Sequence, residues 1–404
     1  RPKLRFVRAR RLSAAPLCFK WKNNNMNNNE WPKHLYALDI SRGIASLSVV
    51  LWHWQHFAYK GNSLSQEFIR ENQPLYELLR LFYEKGAMGV QYFFLLSGFI
   101  FFWLYGASIR NKTTSALGFG VNRFSRLYPL HFITLITVAI LQYIYISREN
   151  ISFVYPFNDA FHFILNIGFA SKWGFESGWS YNAPVWSVSI EVLLYGVFFL
   201  VASLRLGGWL YCLSVSVTSF VTSLFIHHPI FGGLAMFFLG GLVFHVANQL
   251  LLLKHRSLIA AVYFITVFSW IGVIVNYYIF NLSSDIKNIG ILGKIFLSGF
   301  PLYILFPFTV LSLVLIEIKR GPLLKPLSWI GDITYSSYLL HFPLQLLFGI
   351  AISFGILGHT FYLNPIYLIA FFMILISLSY ITFVKFERPM QKAIRAKLLK
   401  RQRA

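Results

Sequence analysis

An arginine and a histidine inside one membrane-length apolar stretch are the residues best suited to chemistry. Arg42 and His53 lie eleven residues apart in the segment 36–57, YALDISRGIASLSVVLWHWQHF. Eleven residues make slightly more than three helical turns, so both side chains would face the same side of a helix, about 16 Å apart along its axis. An arginine in a bilayer costs at least about 2.5 kcal/mol, which indicates that its charge is used. The imidazole could take a proton from a reacting hydroxyl, or be a core histidine bonded to a neighbouring carbonyl.

A second polar group opens a later apolar stretch, NAPVWSVSIEVLLYG. It contains Asn182, Trp186, Ser189 and Glu191 within ten residues. A carboxylate two turns into an apolar helix needs a partner or takes up a proton. A helix-packing ion pair would explain Glu191, but the dense cluster of tryptophan, serine and glutamate around it favours a functional site.

Two arginines precede a proline in the sequence VNRFSRLYPLH. Pro129 is predicted to lie in the first turn of a helix, where proline is tolerated. Arg123 and Arg126 would then stand at a helix N-terminus, where guanidinium groups and free backbone N–H groups can bind phosphate together. The alternative is that both arginines only orient the span as cytoplasmic charges.

Two shorter motifs are weak by themselves. Ser97 begins the tripeptide SGF, whose small residues could equally let two helices approach closely. Tyr335 and His341 lie in ITYSSYLLHFPL, where each could be a cap or an interface anchor instead of a site residue.

The composition indicates a membrane protein. Of the 404 residues, 56% are hydrophobic and 12% are charged, roughly half the charged content of a soluble domain. The net charge of +22 does not indicate nucleic-acid binding, because the basic residues lie at the two ends and in alternate loops. The two cysteines and scattered histidines show no disulfide framework and no metal-ligand spacing, so no metal is expected.

The apolar stretches predict an all-α integral membrane fold with about ten transmembrane helices, each able to cross about 30 Å of hydrocarbon. The excess of Lys and Arg in alternate loops predicts that both termini are cytoplasmic. The piece FHFILNIGF at 161–169 is too short to span and is predicted to be interfacial or re-entrant. The ten stretches are 36–57, 86–106, 126–146, 184–204, 208–226, 229–248, 258–280, 291–317, 333–355 and 364–386.

These stretches divide the chain into three parts. A membrane domain at 36–390 is predicted between a basic, disordered N-terminal tail at 1–35 and a basic cytoplasmic tail at 391–404. Residues 1–25 lack the apolar core of a signal peptide, and either a gene-start artefact or a disordered tail would account for them. No hydrolase-like domain is expected after the last span.

Together these segments resemble the acyltransferase 3 family of integral-membrane acyltransferases, in order and over most of the chain. The family's opening pattern, an arginine or lysine followed after ten residues by histidine, fits Arg42 and His53. The other matching residues are Ser97 to Phe99, Arg123, Arg126 and Pro129, Trp186, Ser187, Ser189 and Glu191, Tyr335, Tyr338 and His341, and Glu387 and Pro389.

The resemblance implies transfer of an acyl group, most often acetyl, from acetyl-CoA to a hydroxyl of a carbohydrate. Surface or exported polysaccharides are the expected acceptors, the bilayer is the expected surroundings, and a bacterial inner (cytoplasmic) membrane is the expected location. Some relatives carry a fused extracytoplasmic hydrolase-like domain that completes the transfer. Without one, this chain either modifies the glycan itself or supplies a separate extracytoplasmic transferase.

The residues allow one hypothesis for the mechanism. Arg123 and Arg126 would hold the phosphates of acetyl-CoA, and His53 would act as the general base with Glu191 as its orienting partner. Arg42, Ser97 or Tyr335 could donate to the developing oxyanion, the last two also touching the cofactor. Asn182, Trp186, Ser189 and His341 are candidate contacts to the acceptor. An acyl-enzyme intermediate is equally compatible.

Two alternatives belong to other functional classes. A transporter could use intramembrane Arg, His and Glu residues as a proton or substrate path. A structural or partner-binding membrane protein would not depend on His53 for its function.

Overall fold

The computed structural model describes residues 31–280, 290–322 and 324–400. In these residues the regular secondary structure is helical apart from one short antiparallel hairpin, β1 (Tyr59–Lys60) and β2 (Ser63–Leu64). The helices are α1 (Tyr36–Trp52), α2 (Tyr76–Lys85), α3 (Gly89–Leu104), α4 (Gly106–Arg110), α5 (Ala116–Glu149), α6 (Ala160–Ile167), α7 (Trp186–Ser203), α8 (Trp209–Phe225), α9 (Pro229–Leu253), α10 (Arg256–Val275), α11 (Ile291–Phe300), α12 (Phe306–Arg320), α13 (Trp329–Asp332), α14 (Thr334–Ser353), α15 (Pro365–Thr382) and α16 (Arg388–Lys400).

Long apolar helices confirm the predicted all-α integral membrane fold. Eight helical stretches in the described residues are long and apolar enough to cross a membrane. The other two predicted spans, 36–57 and 208–226, contain α1 and α8, which have 17 residues each, or about 25 Å of helix. Helix therefore occupies all ten predicted intervals, eight of them at full spanning length. The cytoplasmic placement of both termini stays a prediction.

The N-terminus of α1 is capped by a residue from α12. Leu35, which precedes α1, provides no capping side chain. Instead, the carboxylate of Glu317 accepts the backbone N–H groups of Tyr36 (2.9 Å) and Ala37 (2.8 Å). A carboxylate satisfies unpaired N–H groups there and complements the positive end of the helix dipole. Since α1 also packs against α2, α3, α12, α13 and α14, the helix that carries Arg42 lies inside the bundle.

Helices α3 and α9 cross at a contact made by glycines. A Cβ atom on Gly98 would overlap the carbonyl oxygen of Phe237, and one on Gly240 would overlap the carbonyl oxygen of Leu95. Small residues at such positions let two membrane helices approach closely. The SGF motif therefore contributes a packing residue, Gly98, beside a polar one, Ser97.

Helix α5 begins earlier than the sequence indicated. Ser115 caps it, because its hydroxyl accepts the N–H of Gly118 (3.1 Å). Arg123 and Arg126 therefore lie two to three turns inside a 34-residue helix, and Pro129 is an interior residue. The prediction that both arginines stand at a helix N-terminus is wrong. Their guanidinium groups, and not free backbone N–H groups, are what they offer to an anion.

The predicted short and terminal segments differ in outcome. The 161–169 piece contains the eight-residue α6, which is too short to span, as expected. The part of the predicted basic tail from 391 to Lys400 is helical and packs against α5. Residues 1–30 and 401–404 lie outside the described residues.

Candidate active site

His53 lies where α1 passes into a short 3₁₀ turn, His53–Ala58. Its Nδ1 is 3.0 Å from Nε2 of His341, and Nδ1 of His341 is 2.6 Å from the carbonyl oxygen of Tyr338. A carbonyl only accepts, so Nδ1 of His341 carries a proton, and its Nε2 accepts a hydrogen bond when the ring is neutral. Nδ1 of His53 must then be the donor. This assignment from the hydrogen-bond network leaves Nε2 of His53 with a free lone pair.

His56 is close to His53 but differently engaged. The ring centroids of the two histidines are 4.7 Å apart. Gln345 donates to the carbonyl of His53 (2.9 Å) and accepts from Nδ1 of His56 (3.0 Å). The hydroxyl of Tyr155 lies 3.3 Å from Nε2 of His56, and burial raises the pKa of this tyrosine well above its usual value, which keeps it a donor. Both nitrogens of His56 are therefore occupied, so His53 is the better proton acceptor.

The two histidines line a cavity of about 480 Å³, which we call the histidine cavity. Its lining residues include neither Asp nor Glu, and neither Lys nor Arg. Trp179 and Trp186 meet there with their ring planes at 68° and their centroids 6.1 Å apart. An apolar, aromatic wall with a few polar groups is typical of a small-molecule site. Its aromatic and histidine lining residues are Trp52, His53, His56, Tyr59, Tyr155, Phe157, Trp179, Trp186 and Tyr338.

A second, smaller cavity of about 110 Å³ lies next to it, which we call the arginine cavity. It brings together residues from α1, α3, α5, α7 and α14. Six of the residues predicted from the sequence line it, although they are spread over almost 300 positions of the chain: Arg42, Ser97, Arg123, Arg126, Glu191 and Tyr335.

The guanidinium groups of this cavity are held in different ways. Nη2 of Arg42 donates to Asp39 (3.0 Å) and to the carbonyl of Gly331 (3.1 Å). Arg123 donates to the hydroxyl of Tyr105 and lies 5.0 Å from the ring centroid of Phe101. Aromatic faces attract a cation but do not neutralise it. The cavity therefore retains positive charge.

Glu191 accepts a short hydrogen bond from the hydroxyl of Ser97. Its carboxylate lines the arginine cavity, whereas His53 lines the histidine cavity. The hypothesis that Glu191 orients the His53 imidazole is replaced, because it is His341 that contacts the Nδ1 atom. His341 was expected to contact the acceptor. It is fully buried instead, and its ring contacts His53.

Tyr338 lines both cavities and forms part of the wall between them. Its hydroxyl donates to the carbonyl of Pro184 (2.7 Å) and lies 2.8 Å from the hydroxyl of Ser187. Since Tyr338 has one hydroxyl proton, Ser187 is the donor in the second bond. Both residues match motifs of the family in the sequence, but the sequence analysis gave neither of them a role in the site. The signal was present, because Tyr338 precedes His341 by three positions on one helix and so places its carbonyl beside the ring.

Three predicted acceptor contacts have different positions. Trp186 lines the histidine cavity. Asn182 is buried and donates to the carbonyl of Leu339 (3.0 Å). Ser189 is buried as well, and it accepts the backbone N–H of Lys172 (3.3 Å). Asn182 and Ser189 are absent from the linings of both cavities, and their hydrogen bonds hold the surrounding segments.

Within residues 31–280, 290–322 and 324–400, no three His, Cys, Asp or Glu side chains are grouped so that they could hold a metal ion. The cavities offer imidazole, guanidinium, hydroxyl and carboxylate groups for acid–base chemistry and anion binding.

Comparison with known families covers most of the chain. The acyltransferase 3 family model, described as an acyltransferase domain, matches residues 35–384. No curated protein and no solved structure matches the chain. The matched region includes every residue that lines the two cavities.

Proposed function

The chain belongs to the acyltransferase 3 family, and from that premise we propose that it transfers an acyl group, expected to be acetyl, from acyl-CoA to a carbohydrate hydroxyl. The observation that carries this proposal is the chain of hydrogen bonds from the carbonyl of Tyr338 through His341 to His53. It leaves one imidazole lone pair at the wall of an aromatic cavity. A hydroxyl that binds in this cavity can lose its proton to that lone pair.

His53 acts as the general base of the transfer. Nε2 of His53 takes the hydroxyl proton as the acceptor oxygen attacks the thioester carbonyl. The C–O bond forms, the C–S bond breaks, and the proton passes to the departing thiolate of CoA. General-base catalysis of this kind contributes roughly 10²–10⁴ in rate. Nε2 of His341 accepts from Nδ1 of His53 throughout and stabilises the imidazolium that forms.

The arginine cavity is the acyl-CoA side of the site. Guanidinium groups bind phosphate through paired hydrogen bonds, and Arg123 and Arg126 both line this cavity. Ser97 and Tyr335 have one hydroxyl proton each and donate it to Glu191 and to the carbonyl of Leu127 (2.6 Å). Arg42 points towards Asp39. Ser97, Tyr335 and Arg42 therefore line the arginine cavity, to which Arg42 adds positive charge. The hydroxyl protons of Ser97 and Tyr335 and the Nη2 group of Arg42 are engaged elsewhere, so these residues are not proposed as donors to the oxyanion.

The histidine cavity is the acceptor side. A sugar ring has apolar faces that pack on aromatic rings, and Trp179 and Trp186 present such rings. The lining holds no Asp, Glu, Lys or Arg, which suits an uncharged, hydroxyl-rich ligand. An exported or surface polysaccharide remains the proposed acceptor, and the producing cell's inner membrane the proposed location.

The test uses radioactive acetyl-CoA and the polysaccharide of the producing cell. Protein in lipid nanodiscs should label the polysaccharide, and His53→Ala should lower the rate by about 10²- to 10⁴-fold. Equal labelling by the variant at equal protein level would reject His53 as the base. Label retained on the protein without acceptor would indicate an acyl-enzyme, and its absence from a competent enzyme would indicate direct transfer.

A further inference from the structure

The C-terminal helix α16 is anchored to α5 by one arginine. Nε of Arg395 donates to the hydroxyl of Ser125 (3.0 Å), and its Nη2 donates to the carbonyl of Asn122 (3.4 Å). Arg395 lies beyond the last residue that the family model matches, Val384. The family resemblance therefore gives this residue no role.

The anchoring point of Arg395 is the segment that carries the arginines of the arginine cavity. Ser125 lies between Arg123 and Arg126 in the sequence and is 1% exposed. Arg395 is close enough to both of these arginines for their positive charges to repel its own. Arg395 therefore attaches α16 to the stretch of α5 that carries both cavity arginines.

The repulsion between the positive charge of Arg395 and those of Arg123 and Arg126 is unfavourable unless negative charge offsets it. Glu191 and Glu387 act on Arg126 electrostatically. Among the described residues, however, none of Arg123, Arg126 and Arg395 makes an ion pair within 4 Å. Arg123 and Arg395 are held by hydrogen bonds to neutral groups, the Tyr105 hydroxyl, the Ser125 hydroxyl and the Asn122 carbonyl. Guanidinium groups that are not neutralised by a direct ion pair can bind phosphate.

We propose that Arg395 completes, with Arg123 and Arg126, a phosphate-binding site for acyl-CoA. This inference rests on the proposed function. The bonds to Ser125 and Asn122 use two of the five N–H donors of Arg395 and fix the direction of the others. The C-terminal helix is then part of the donor-binding site and not only a membrane-surface helix. The group recognised is a phosphate, which in CoA is either the 3′-phosphate or the pyrophosphate.

The experiment compares Arg395→Gln with Lys397→Gln, which removes the same charge from an exposed position of the same helix. Binding of CoA and of 3′-dephospho-CoA is measured by calorimetry in nanodiscs of zwitterionic lipid. We expect Arg395→Gln to raise the Kd of CoA about tenfold or more, because a hydrogen bond to a charged group is lost. Lys397→Gln should change it less than about twofold.

The analogue identifies the phosphate. If Arg395→Gln raises the Kd of CoA but not that of 3′-dephospho-CoA, Arg395 binds the 3′-phosphate. If it raises both Kd values equally, Arg395 binds the pyrophosphate. Wild-type Kd in a folded Arg395→Gln protein, or an equal penalty in Lys397→Gln, would overturn the inference and leave α16 to lipid headgroups. Failure of the wild-type protein to bind CoA would instead reject the proposed function.

A second variant covers the case in which Arg395→Gln does not fold. Ser125→Ala removes the hydroxyl that fixes Arg395 and keeps all three charges. It should raise the Kd of CoA by a few fold at an unchanged unfolding temperature. No change in Kd for this folded variant, together with no change for Arg395→Lys, would also contradict the site.

Discussion

His341→Ala tests the proposed mechanism most directly, because it removes the partner of His53 and not the base itself. In the structure Nε2 of His341 lies 3.0 Å from Nδ1 of His53, and both rings are buried. Without this acceptor, Nδ1 of His53 has no partner, and the ring can adopt the other tautomer. The lone pair would then no longer be held on Nε2, which is the nitrogen assigned as the base.

The size of the effect follows from the charge that His53 gains. In the ground state the bond joins two neutral rings, and in the transition state it stabilises an imidazolium. A hydrogen bond to a charged group is worth about 1.5–3 kcal/mol. At 1.36 kcal/mol for each factor of ten, kcat should fall about 10- to 150-fold. His341→Gln keeps an acceptor at the end of the side chain, so it should recover most of this loss.

The assay is the release of free CoA thiol from acetyl-CoA in the presence of isolated polysaccharide, at saturating acceptor. KM for acetyl-CoA should change little, since His341 is absent from the lining of the arginine cavity. His245 lies on α9, and its ring also makes a hydrogen bond to a carbonyl, that of Gly207 (2.9 Å). His245→Ala is therefore the matched control. A folded His341→Ala protein with wild-type kcat would refute the reasoning, as would equal losses in the His341 and His245 variants.

The remaining predictions concern the helices that position the site. Glu317→Gln should lower the free energy of unfolding by about 1–3 kcal/mol, because it weakens the cap on two N–H groups of α1. Thermal unfolding checks this, with Glu71→Gln, a change at an exposed carboxylate, as the control. Equal unfolding temperatures for the two variants would contradict the prediction. Gly98→Ala should cost about 1–3 kcal/mol or prevent assembly by forcing α3 from α9. Its control is Gly196→Ala, where a Cβ meets open space, and size-exclusion profiles that do not distinguish the two would be evidence against this packing.

Much of the fold could be predicted because membrane helices depend on local composition. Hydrophobic length alone located all ten intervals, since the bilayer sets a minimum span. The start of α5 could not be predicted in the same way. Asn122, Arg123, Ser125 and Arg126 interrupt the apolar residues there, and Pro129 is tolerated either in a first turn or inside a helix whose neighbours satisfy the freed carbonyl. The serine cap at Ser115 was a usable signal.

The sequence predicted most of the residues that line the candidate site, but not which of their side chains contact each other. Spacing on α1 placed Arg42 and His53 on one side, but spacing on one helix carries no information about the helix that packs against it. His341 is 288 residues from His53, and only tertiary packing brings their rings together. The same limit applies to Glu191, whose partner, Ser97, lies on another helix.

One cavity has an unused hydrogen-bond acceptor and the other has unused donors, and this difference supports two different ligands. In the histidine cavity the hydrogen-bond network leaves an unused acceptor, the lone pair on Nε2 of His53. In the arginine cavity the unused groups are donors: the Nε atoms of Arg42 and Arg123 are buried and have no partner within the described residues. Buried polar groups are normally satisfied, so each cavity selects the ligand that it lacks. In the reaction that we propose, the acceptor alcohol would supply the proton that the first cavity can accept, and the phosphates of acyl-CoA would supply oxygens to the second. Tyr338 belongs to both walls, so its side chain marks the place where the proposed reactants would meet.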